Sequence, residues 1–182
     1  MAVSKALLKE QLQFFSKQEL VDMLLKLSKK GHNYDFLLVN FLDTDGGELQ
    51  LYEETLEALK RVEEKEFKGR TRQHQRVKML TASIKCINEF IIETKNKKLE
   101  ADLVLYVLEK EFAQPARMFG AKFSGYDFKI ALLLKRLLNL VQKKMHPDYL
   151  VDYQDKLNEM LQKIHATSNR IKTVYELPLS ID

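Results

Sequence analysis

The sequence predicts an all-α protein of about eight helices, packed as antiparallel pairs in a globular bundle or a short solenoid-like stack. Three observations carry this. Apolar residues recur every three or four positions through most of the 182 residues. The six glycines and three prolines fall almost entirely between those periodic segments. No run alternates with period two for long enough to make a strand. The length fits one domain, 1–182, with an extended tail at about 174–182, and no motif repeats at about 30–45 residues as a repeat array would require.

The first helix runs from Ser4, a candidate N-cap, to Phe15. Ser16-Lys-Gln-Glu19 reads as a capping box opening a second helix, with Leu20, Met23, Leu24 and Leu27 on one stripe and Gly31 as its stop. A third helix over Tyr34–Leu42 ends in the turn Asp43-Thr-Asp-Gly-Gly47. The fourth spans about Glu48 to Phe67, and Gly69 breaks the pattern. The fifth, about Thr71 to Lys95, places Val77, Leu80, Ile84, Ile87 and Ile91 at near-heptad spacing. The sixth, Leu99 to Phe112, is apolar around most of its circumference. After the linker Gly120–Tyr126, the seventh (Asp127 to Lys144) should be central. Pro147, in a first turn, launches the eighth toward Thr167.

Two stretches carry a resemblance. FFSKQELVDMLLKLSKKGHNYDFLLVNFLD, from Phe14, and ADLVLYVLEKEFAQ, from Ala101, resemble parts of a bacterial family of uncharacterised all-helical proteins, a domain of unknown function. The resemblance covers about the first quarter of the chain and one later helix. It implies an intracellular bacterial α-helical protein and no site residues.

Composition excludes more than it selects. A 45% apolar and 31% charged chain is too apolar to be disordered, and the lone Cys86 excludes a disulfide framework or a zinc ribbon. His32, His74, His146 and His165 are scattered, without the spacing of a metal site or a di-iron bundle. Glycine-loop and nucleophile-elbow motifs are missing. Cys86 reads as a small core residue, and the pairs Glu53-Glu54 and Glu63-Glu64 read as solvating faces. No cofactor is expected. The opening MAVSKALLKEQL is interrupted by Lys5, Lys9 and Glu10, and the apolar stretch from Ile130 is broken by Lys135 and Arg136, so the expected location is the cytoplasm, without a membrane.

The charge is uneven. Residues 1–67 hold 9 basic and 13 acidic groups, whereas residues 68–98 hold 9 basic and 2 acidic. Lys68, Arg70, Arg72, Arg76 and Lys78 crowd a loop and the first turns of the fifth helix, where guanidinium forks suit phosphate oxygens. Interleaved aromatics for base stacking are lacking, which favours an ordinary solvated face. Asp43, Asp45 and Glu54 fall at positions 1, 3 and 12 of a calcium loop, but Gly47 and Glu48 miss the ligand and glycine positions of that template. A helix-turn-helix fails because DFLLVNFL is too apolar to face a groove. Phe112, Phe119, Phe123, Tyr126 and Phe128 cluster around the long linker, mostly as core beneath it. The tail VYELPLSI can pack on its own domain or on a neighbouring subunit. The expected function is therefore non-catalytic binding, by contact with a protein partner or self-association. Phosphate or nucleic-acid binding through 68–78 is the alternative, and an enzyme with a site assembled by the fold is third.

Overall fold

The capping box at Ser16 is formed: the Ser16 side chain accepts from the Glu19 N–H at 3.3 Å, and a Glu19 oxygen accepts from the Ser16 N–H at 2.8 Å. This holds in a computed structural model that describes residues 5–29, 33–42, 44–121, 124–168 and 171–181. The features expected at Ser4, Gly31, Asp43 and Phe123 lie outside the described residues. The chain is all-α, and among the described residues there is no strand.

Two compact units divide the chain, Met1–Gln50 and Leu51–Asp182. The first contains α1 (Lys5–Leu12), α2 (Lys17–Leu27), α3 (Asn33–Leu37) with a π-helical turn at Leu38–Leu42, and the start of α4 (Thr44–Glu64). The third helix was expected to be regular through Leu42. Asn40 Nδ2 instead donates to the Phe36 carbonyl at 2.9 Å, competing with the backbone ladder where the π turn forms.

The Asp43–Gly47 segment was expected as a turn, yet α4 already begins at Thr44 and takes Gly46 and Gly47 into its first turns. Of the calcium-loop alternative, Asp43 lies outside the described residues, and the segment from Thr44 through Glu54 is helical.

The second unit holds the rest of α4, then α5 (Arg72–Glu93), α6 (Lys97–Phe112), α7 (Tyr126–Lys143), α8 (Leu150–Thr167) and α9 (Lys172–Tyr175). Thr71 caps α5 and Asn96 caps α6, each accepting from the backbone N–H three residues on. α6 packs on α5 and α7, and α7 also packs on α8 and α9, so these two helices form the middle of the bundle. Ala101, Leu103, Val104 and Leu108 of α6 meet Ile130, Leu134 and Leu137 of α7 in one fully buried core cluster. Three carboxylates on α6 join it to its neighbours. Glu111 receives Arg76 of α5, Glu100 receives Arg136 of α7 at 3.0 Å, and Asp102 receives the Tyr153 hydroxyl of α8 at 2.5 Å.

The C-terminal tail is not extended throughout. α9 is a single helical turn, and the residues after it fold back on their own unit. Val174, Leu177 and Ile181 are buried in the core cluster. Asn158 of α8 clamps the backbone of Ile181 from both sides, accepting its N–H at 2.8 Å and donating to its carbonyl at 3.0 Å. Asn158→Ala is expected to cost about 1–2 kcal/mol in chemical denaturation and to strip amide-exchange protection from residues 177–181. An unchanged midpoint with the tail amides still protected would contradict this.

Candidate anion-binding cleft

The loop that breaks the helical pattern at Gly69 folds back over the first turns of α5. Gln75 Nε2 donates to the Gly69 carbonyl at 3.4 Å, and Lys78 Nζ donates to the Lys68 carbonyl at 2.6 Å. The approach is close enough to demand glycine: a Cβ at position 69 would lie 2.9 Å from both the Cγ and the backbone N of Gln75. Between this loop and α5 lies an open cleft of about 450 Å³. Lys65, Lys68, Arg72 and Arg76 line it, together with Phe67 and Met79 on its apolar part and the carboxylates of Glu63 and Glu66.

The five cations singled out in the sequence do not act alike. Lys68 and Arg72 are exposed and line the cleft, and Arg72 makes only a long 3.5 Å contact to Gln114 Oε1. Arg70 is exposed but outside the lining. Lys78 is tied to the loop carbonyl.

Arg76 departs furthest from a solvated face. Its side chain is only 15% exposed, and it grips Glu111 side-on, Nε to Oε2 at 3.2 Å and an Nη to Oε1 at 2.5 Å. Glu111 is fully buried and also accepts from the Tyr126 hydroxyl at 2.7 Å. Burial pushes the Glu111 carboxyl above its ordinary value, while Arg76 and the Tyr126 hydrogen bond pull it back. Burial first, and then the neighbouring Glu111 charge, raise the Tyr126 hydroxyl strongly. A structural ion pair thus forms the floor of the cleft, and Lys65, which the charge pattern of 68–78 did not include, joins its rim. Lys65 Nζ stands 5.7 Å from the centre of the Phe67 ring.

The remaining candidates are structural. Phe112, Phe119 and Tyr126 stack in series at 5.6 and 5.5 Å, buried beneath the linker, while Phe128 is exposed. Cys86 is half-buried at the core margin, and burial raises its thiol. Glu63 does more than solvate a face, standing 3.8 Å from Lys110 and accepting from Tyr106 at 3.5 Å. Among the described residues no group of His, Cys, Asp and Glu side chains could hold a metal ion, and no helix is long and apolar enough to cross a membrane.

Among the described residues a second carboxylate has no exposure at all, and the charge pattern of the sequence does not point to it. Asp127, fully buried at the start of α7, accepts from the Gly120 N–H at 2.7 Å and from the Ser168 hydroxyl on one oxygen. Glu111 and Asp127 share a signal legible in the sequence: each is an acidic residue on the apolar stripe of its own helix, Glu111 with Val104 and Leu108, Asp127 with Ile130 and Leu134. No family model, curated protein or solved structure matches this chain.

Proposed function

We infer that this protein is a non-catalytic binding protein, and that the first unit makes the contact, with another protein chain or a second copy of itself. One observation carries this reading. No residue of α2 is buried, although Leu20, Met23, Leu24 and Leu27 form a continuous apolar stripe along it. Leu24 and Leu27 are 48% and 56% exposed, and Phe14, just ahead of the helix, is 79% exposed. Contiguous exposed apolar surface on an amphipathic helix is the usual form of a helix-docking face. The resemblance of 14–43 to a bacterial helical family, and the charges that interrupt every long apolar stretch, support a bacterial and cytoplasmic setting as part of the same proposal.

Light scattering on the full chain at rising concentration tests it. The wild type is expected above monomer mass, and the variant carrying Leu24→Glu and Leu27→Glu at monomer mass with unchanged helicity. A wild type at monomer mass throughout overturns self-association as the form of this contact.

The second reading, phosphate or nucleic-acid binding through 68–78, is favoured by the cationic cleft. With Arg76 committed to Glu111 and Lys78 to the loop carbonyl, Lys68, Arg70 and Arg72 remain for a duplex. The expected salt slope of log K is then about −3, instead of the −4 to −5 or so that five engaged cations would give.

A further inference from the structure

We propose that the cleft between the loop 65–69 and the first turns of α5 binds a small phosphate monoester, with Lys68 and Arg72 on the phosphate and the organic group against Phe67. This rests on the second reading above and gives it a ligand class.

Charge decides first. Arg76 at the floor is neutralised by Glu111, and Glu63 leans toward Lys110 at 3.8 Å. The rim then sets Lys65, Lys68 and Arg72 against Glu66, an excess of two positive charges. A phosphate monoester carries close to two negative charges at neutral pH, whereas each phosphate of a nucleic-acid backbone carries one. Size decides next. About 450 Å³ lies within the usual range of a small-ligand site, and Arg70 and Lys78, which a long polyanion would need, do not line it. Apolar surface decides third: the half-buried Phe67 gives the cleft one face for an uncharged group beside the cations, with Met79 buried in the core behind it. Chemically, the site is a guanidinium fork and an ammonium holding a dianion, with no group placed to break the ester.

The experiment is an amide-shift titration of the ¹⁵N-labelled full chain at low salt and a pH of about 7.5, above the second phosphate pKa of about 6. The probes are phenyl phosphate, inorganic phosphate and benzenesulfonate. Saturable shifts over residues 65–79 are expected with phenyl phosphate below about 10 mM, with inorganic phosphate weaker and the singly charged sulfonate weaker still. Arg72→Gln, an exposed position whose fold is checked by circular dichroism, should weaken phenyl phosphate by about tenfold or more, and Arg70→Gln by less than about twofold. Equal losses from the two variants, or equal binding of sulfonate and phosphate, overturn the proposal. So does the absence of saturable shifts. A duplex titration then separates the two failures: duplex binding that depends on Arg70 keeps the wider reading, and no binding of either probe removes both.

Discussion

Glu111→Ala is expected to destabilise the 51–182 unit by about 3–5 kcal/mol, read as a lower urea midpoint with an unchanged slope. The fully buried carboxylate is the shared acceptor for Arg76 of α5 and Tyr126 of α7 while itself standing on α6. Its removal leaves a guanidinium and a hydroxyl facing an apolar interior together with a new cavity. Arg76 retains a 15% opening to the cleft and recovers some hydration there, so the loss belongs toward the lower figure. Arg76→Leu alone should also be costly, because Glu111 then has no cation and must take up a proton. The double variant Arg76→Leu with Glu111→Met should cost less than the sum of the singles, since the apolar pair leaves neither charge stranded. Additive losses in that cycle would show that the two side chains do not act as a pair.

The same carboxyl gives a pH dependence of definite sign. Its folded-state pKa lies above the ordinary 4.5 because of burial, so the folded protein binds this proton more tightly than the unfolded chain does. The resulting contribution is fully present below about 4.5 and is lost as pH rises through the folded value, so the group makes stability fall with rising pH over that window. Carboxylates whose values are lowered act in the opposite sense. Subtracting the profile of Glu111→Gln from that of the wild type isolates the contribution. A flat difference between pH 4 and neutrality would overturn it.

Legibility in the sequence followed the range of the interaction. The capping box at Ser16, the start of α5 at Thr71 and the end of α6 at Phe112 rest on residues within a turn of one another, whereas Pro147 opens a short 3-10 turn, Pro147–Tyr149, ahead of α8. The first three are where the sequence places them. Gly46 and Gly47 misled because glycine's helix penalty, about 1 kcal/mol each, is only a local preference, and α4 forms across them with Gly47 buried. The candidate site divides in the same way. That cations gather at a helix start is legible, but which of them turn inward is decided 35 residues away, where Glu111 captures Arg76. Arg76 falls four and eleven residues before Leu80 and Ile87 on the inner stripe of α5, a sign that an arginine there needs a buried partner.

Gly120→Ala carries the other large effect expected, about 3–4 kcal/mol, or roughly 6–16 °C in melting temperature for a unit of this size. Three costs meet at this residue. Its φ of +82° is a conformation that a Cβ disfavours. A Cβ there would also lie 2.9 Å from the Thr167 carbonyl oxygen, a backbone atom held in the last turn of α8. Any shift that relieved the clash would pull the Gly120 N–H off Asp127, the buried acid that also holds Ser168 at the end of α8. Gly125 is the internal control. Its φ is +71°, but a Cβ there meets nothing within 4 Å, so Gly125→Ala should cost only the conformational part, about 1 kcal/mol. If the two alanine variants melt together, backbone conformation alone governs this linker. If Gly120→Ala melts well below Gly125→Ala, the close contact with α8 and the hydrogen bond to Asp127 are what pin the linker to the bundle.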